Sequence, residues 1–117
     1  MKRLILLALI IFFSFDVYSQ DKIEGVWDCK DSNTLIEISK AGEEVVGKIL
    51  SSDDPEAPIG ELVFKDLSHN GEEWEGEIFA MRKKKWYKVK LIPEQESLKL
   101  KVYAGIFSKT FNWPRTE

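Results

Sequence analysis

The sequence predicts an all-β protein, an antiparallel up-and-down barrel of about eight short strands, preceded by a signal-peptide helix. Three observations carry this. No helical period runs through the chain after residue 20. Short segments there alternate apolar and polar residues and are broken by turn signals about every ten residues, the pattern of a sandwich or a barrel. Two glycines, Gly47 and Gly76, fall on the predicted inner face, where closing a sheet requires corners or close approaches. A two-sheet sandwich is the alternative architecture.

The leader comes first. Lys2 and Arg3 precede an apolar stretch, 4–15, interrupted only by Ser14, and Val17-Tyr18-Ser19 places small or aliphatic groups where a signal peptidase reads. Cleavage is expected between Ser19 and Gln20. The stretch is twelve residues long and ends at Asp16, whereas a helix needs about 20 apolar residues to cross a bilayer. Residues 1–19 are therefore assigned to a signal peptide and 20–117 to a single domain of 98 residues. The protein is expected to be exported, periplasmic or secreted, with no stable membrane insertion after cleavage. Removing Lys2, Arg3 and Asp16 from the 17 basic and 20 acidic residues leaves 15 against 19, a net charge of −4. Signs are interspersed, so there is no basic footprint for nucleic acid or an anionic membrane. One cysteine, Cys29, excludes an intrachain disulfide and reads as a small buried apolar group.

Strands are predicted over 26–30, 34–40, 43–50, 61–67, 73–80, 85–92, 97–103 and 108–115. Asn70-Gly71 marks a hairpin, because both residues tolerate positive φ. Pairing 73–80 with 85–92 so that Trp74 faces Leu91, Gly76 faces Val89 and Ile78 faces Tyr87 makes one face apolar. The other face becomes a ladder of opposite charges, Glu75 with Lys90 and Glu77 with Lys88. A slip of one residue would mix the two. In the next hairpin Leu91 is expected to face Leu98, Val89 to face Leu100, and Tyr87 to face Val102. In the hairpin of 34–40 with 43–50, Ile38 is expected to meet Val45, and Ile36 to meet Gly47. The inward set is then Trp27, Ile36, Ile38, Val45, Ile49, Trp74, Ile78, Tyr87, Val89, Leu91, Leu98, Leu100, Val102, Phe111 and Trp113.

Gly25-Val26-Trp27 opens the first strand, Val45-Val46-Gly47-Lys48-Ile49 and Trp74-Glu75-Gly76-Glu77-Ile78 follow, and Tyr103-Ala104-Gly105-Ile106-Phe107 precedes a closing Trp113-Pro114-Arg115. This ordered set resembles the DUF2147 family of exported bacterial proteins, over essentially all of the mature chain. The resemblance implies a lipocalin-like (calycin-type) barrel and no assigned activity. The chain departs from the family pattern in a shorter loop at 51–58 and in the 80–87 segment, where only Tyr87 survives. The likeness to Gly-x-Trp barrels further implies a structural closure by Gly25, Trp27 and Arg115, with the Arg115 guanidinium lying across Trp27 and tying the last strand to the first.

Four features are candidate sites. An eight-stranded barrel is either filled by its own side chains or holds one small ligand. A small, largely apolar molecule would be lined by Trp74, Tyr87, Val89 and Leu100, with the Trp74 N–H and Tyr87 O–H as polar handles. On the outer face Phe79 is expected opposite Trp86 and Trp86 opposite Tyr103, an aromatic row that suits a protein partner or a homodimer. The loop Asp53-Asp54-Pro55-Glu56 lacks the spacing and glycine turn of a calcium site, and no zinc or phosphate-binding motif occurs. His69, the only histidine, falls in an exposed turn, and Glu73, Glu75 and Glu77 face lysines on a wet surface, the wrong setting for acid–base work. No catalytic residue, metal or cofactor is assigned.

Overall fold

A computed structural model of the chain describes residues 23–116. The predicted leader and its cleavage site lie outside the described residues. Eight strands follow in order: β1 (Gly25–Asp28), β2 (Leu35–Ala41), β3 (Glu44–Ser51), β4 (Leu62–His69), β5 (Trp74–Ala80), β6 (Lys85–Pro93), β7 (Ser97–Ala104) and β8 (Phe107–Pro114). Each pairs antiparallel with its sequence neighbour, giving one sheet in the order β1 to β8. The alternation of apolar and polar residues is what makes this possible. It presents every second side chain to one face, and curling the sheet buries that face. The sheet curls into a half-barrel.

Trp27, Phe64, Leu91, Leu98 and Leu100 are wholly buried, and Ile23, Ile36, Ile38, Ile49, Val63 and Val89 nearly so. Phe64 and Trp113 pack with ring centroids 5.6 Å apart. Of the predicted inward set, Ile78, Tyr87 and Val102 are half-buried and Phe111 is exposed. All four lie toward one end of the sheet.

The β5–β6 register is as expected, Trp74 to Leu91 through Ile78 to Tyr87. Two others are corrected. In β6–β7, Leu91 faces Leu100, and Val89 faces Val102. In β2–β3, Ile38 faces Gly47, and Ile36 faces Ile49. Each is displaced by two residues from the expected pairing, because each turn is centred one residue later than expected: on Gly42 and Glu43 in one hairpin and on residues 94–97 in the other. A displacement of two leaves every side chain on its expected face. It does break the outer aromatic row, since Lys88, not Trp86, stands opposite Tyr103. The Asn70-Gly71 turn also differs in kind. Gly71 alone has positive φ, while the Asn70 side-chain oxygen accepts from the Glu72 and Glu73 amides in a four-residue loop.

Both inner glycines are sites of close approach. A Cβ on Gly47 would stand 2.6 Å from Cδ2 of Phe64, its cross-strand partner. One on Gly76 would stand 2.7 Å from both the Lys65 carbonyl oxygen and Leu67 Cδ2. β4 is bulged there: its register with β5 shifts between Lys65 and Ser68, and Asp66 adopts φ 55°. The missing Cβ of Gly76 is what lets the bulged backbone lie against β5.

The sheet closes at one end only. Trp27 and Arg115 form an isolated antiparallel bridge, and the Thr116 amide donates to the Val26 carbonyl at 2.8 Å. The Arg115 guanidinium carbon lies 4.2 Å from the Trp27 ring centroid, and its Nη1 donates to the Glu24 carbonyl at 3.0 Å. The Trp27 indole N–H donates to the Ile23 carbonyl at 3.1 Å. β1 is too short to reach further, so among the described residues the β8 edge from Phe107 to Asn112 has no partner strand.

Four substitutions test this account. Gly76→Ala should lose about 2–3 kcal/mol of stability in urea denaturation, because its Cβ would collide with a backbone carbonyl that cannot rotate away. Gly42→Ala, which meets no atom within 4 Å but sits at φ 71°, should lose only about 1 kcal/mol. Arg115→Ala should lose about 1–2 kcal/mol, and Arg115→Lys most of that, since an ammonium supplies neither the planar stack nor the forked donors. Equal stability of Arg115→Lys and the parent in the same denaturation would refute the closure.

Candidate functional site

The open end of the half-barrel collects four connections: residues 29–34 after β1, 52–61 after β3, 81–84 after β5, and 105–106 after β7. Their backbones are shaped for tight reversal. Lys30, Ser32, Asn33 and Lys84 all have positive φ. The first two connections are laced together: the Asp53 amide donates to the Ser32 carbonyl at 2.8 Å, Asn33 Nδ2 donates to Asp53 at 2.6 Å, and the Thr34 and Ser52 hydroxyls are 2.7 Å apart. Arg82 reaches across to Asp31, with 3.3 Å between Nη2 and Oδ2.

Between these loops lies a cavity of about 650 Å³. Its walls are inner-face residues of six strands, including Ile36, Val63, Ile78, Tyr87, Val102 and Phe111, with Trp113 deeper. Met81, Phe107 and Cys29 are at the rim with Asp31, Arg82, Lys83 and Lys109. The cavity follows from the partial closure. Where β8 has no partner, the inner face is not covered, and Phe107 and Phe111 remain exposed. Half-burial, opposed by a backbone hydrogen bond from Asp31, pushes the Cys29 thiol above its ordinary value, so at neutral pH it is protonated and a weak nucleophile.

Of the four residues expected to line a ligand, only Tyr87 borders this cavity. Val89 and Leu100 are packed core. Trp74 lies at the opposite end of β5, beside the β4–β5 turn, with its ring 5.0 Å from that of His69 and its indole N–H buried without a hydrogen-bond partner among the described residues. Sequence reasoning put the lining too deep, because alternation tells which face a residue is on but not how far along the barrel the filling ends. It also missed Phe107 and Lys109. The signal for both was present: 107, 109 and 111 continue the inward parity of Trp113.

The outer residues Phe79, Trp86 and Tyr103 are each half-buried. Phe79 and Trp86 pair with centroids 5.2 Å apart, and Lys65 Nζ lies 4.2 Å from the Trp86 ring. Tyr103 sits apart, with Lys90 and Lys101 at 5.9 and 5.6 Å. Lys90 is also paired with Glu73 at 3.5 Å, and Glu73, then Tyr103, hold its ammonium above the usual lysine range. His69 is exposed, its Nδ1 accepting from the Gly71 amide. The loop of Asp53, Asp54 and Glu56 is exposed as well, and no group of three metal-ligating side chains comes together among the described residues.

Gly25 pairs with Ile38 at the start of β1, so the Gly25, Trp27 and Arg115 cluster stands at the end of the barrel away from the cavity. No curated protein and no solved structure matches the chain. A family model does, over residues 25–115, from the first residue of β1 to the arginine stacked on Trp27. On that match the chain belongs to the DUF2147 family, described as uncharacterized proteins conserved in bacteria.

Proposed function

We propose that this protein is an exported, non-catalytic binding module of the cell envelope that holds one small, largely apolar molecule in the open mouth of the half-barrel. The observation that carries this reading is the cavity itself. Its volume of about 650 Å³ falls in the range of small-molecule sites, and apolar side chains from six strands converge on it. An apolar wall left facing water costs about 25 cal/mol per Å² of surface, and a bound apolar molecule recovers that term. The leader supports export, and a protonated, half-buried Cys29 and an exposed His69 support binding rather than covalent chemistry. The alternative, a protein-interaction or homodimer surface on Phe79, Trp86 and Tyr103, is the weaker reading because lysines already lie against Trp86 and Tyr103.

N-phenyl-1-naphthylamine, a neutral fluorophore, should bind saturably at one site per chain. Val102→Trp, which fills the cavity from β7, should abolish that binding while keeping the thermal midpoint within a few degrees of the parent. Binding unaffected by the filled cavity would overturn the proposal. The same occupancy has a chemical readout: N-ethylmaleimide should modify Cys29 several-fold more slowly than a free cysteine near neutral pH, and more slowly again with the fluorophore bound.

A further inference from the structure

β8 carries an anomaly in its pattern. Leu98 faces Trp113, Leu100 faces Phe111, and Val102 faces Lys109. Directly opposed residues share a face, and Leu98 and Leu100 are wholly buried. Lys109 therefore springs from the inner face, at a position where the alternation calls for an apolar residue. Its Nζ stands 5.4 Å from the centroid of Phe111, itself a wall of the cavity, and Lys109 borders the cavity with Lys83. Arg82 spends its charge on Asp31, the one carboxylate at this rim. Lys83 and Lys109 have no carboxylate partner within salt-bridge distance among the described residues. The Tyr87 hydroxyl, on the same inner face, likewise makes no hydrogen bond there. The site is thus an apolar chamber whose entrance holds unneutralised cations and a free phenol, although the protein as a whole is acidic.

We infer that the molecule held in the mouth is a single-chain amphiphile with a carboxylate head: the chain packs among Val63, Ile78, Val102 and Phe111, and the head pairs with the Lys109 ammonium at the entrance. A lysine is suited to this position because its four-carbon stem lies along the apolar wall while its charge stays at the water boundary. A charge-assisted hydrogen bond at a partly desolvated entrance then discriminates the anion from a neutral head. The inference rests on the reading of the mouth as a binding site, and it adds the charge of the occupant.

Dodecanoate and dodecanol, identical in chain and different in head charge, separate the two claims when titrated against the delipidated protein at about pH 8, where the acid is ionised and lysine is protonated. Dodecanoate should bind about tenfold more tightly than dodecanol. Lys109→Gln should erase that difference by weakening dodecanoate alone, and Lys109→Arg should keep most of it. Retained dodecanol binding shows that the variants are folded with the cavity intact. Equal affinity of the parent for the two probes would overturn the carboxylate inference and leave the cavity reading standing. Binding of neither would overturn both. A third outcome, Lys109→Gln that holds dodecanoate as tightly as the parent but self-associates, would show that the lysine guards the open β8 edge, and the inference would fall.

Discussion

The architecture depends on how far β1 reaches. A sheet curls because its inner residues are apolar, but it becomes a container only where its first and last strands meet. β1 has four residues, and the meeting is confined to the Trp27–Arg115 bridge and the hydrogen bonds beside it. At that end the interior is dry and filled with Trp27, Leu98 and their neighbours. At the other end the outer edge of β8 runs on for six residues with no partner strand among the described residues. The core, the cavity and the exposed aromatic rim are one consequence seen at three heights. The Arg115 stack matters for the same reason: it fixes a short seam that few ladder hydrogen bonds support, with a planar cation whose charge is partly met by a carbonyl and a π-face.

Much of this was legible in the sequence, and the failures are informative. All eight strands lie within two residues of their expected bounds, because period-two alternation is a strong signal when one face must be buried. The face of each residue survived even where the register did not, since the errors were of two residues. Both errors arose at turns, whose centres alternation does not encode. Phe64 escaped the expected core although it is wholly buried. β4 carries a bulge with Asp66 in the left-handed region, and a bulge shifts parity along its strand without any marker in composition. Ile23 escaped because it lies outside the strands, yet its carbonyl receives the Trp27 indole proton. The outer aromatic row holds where Phe79 meets Trp86 and fails only at Tyr103, whose expected place depended on the offset of the β6–β7 hairpin.

Charge is distributed with equal economy. On the outer sheet face, the glutamate–lysine ladder of β5 and β6 is solvated, and its ion pairs add little stability at such exposure. Their effect is on register, since a slip of one residue would set Glu75 against Val89 or Leu91 in place of Lys90. At the mouth the balance is different, because acidic groups are held back in the loops. The Asp53 carboxylate accepts from Asn33 and that of Asp31 from Arg82, so the carboxylates build the lip while the remaining cations face the entrance.

The unpartnered margin of β8 has a further mechanical meaning. A fully closed cylinder sets the girth of its contents, because widening it must break hydrogen bonds around the ring. Here one wall of the chamber is a ribbon anchored along a single side. It can swing outward about β7 without rupturing any ladder on its free side, since none exists there among the described residues. The chamber is accordingly adjustable in width while fixed in depth.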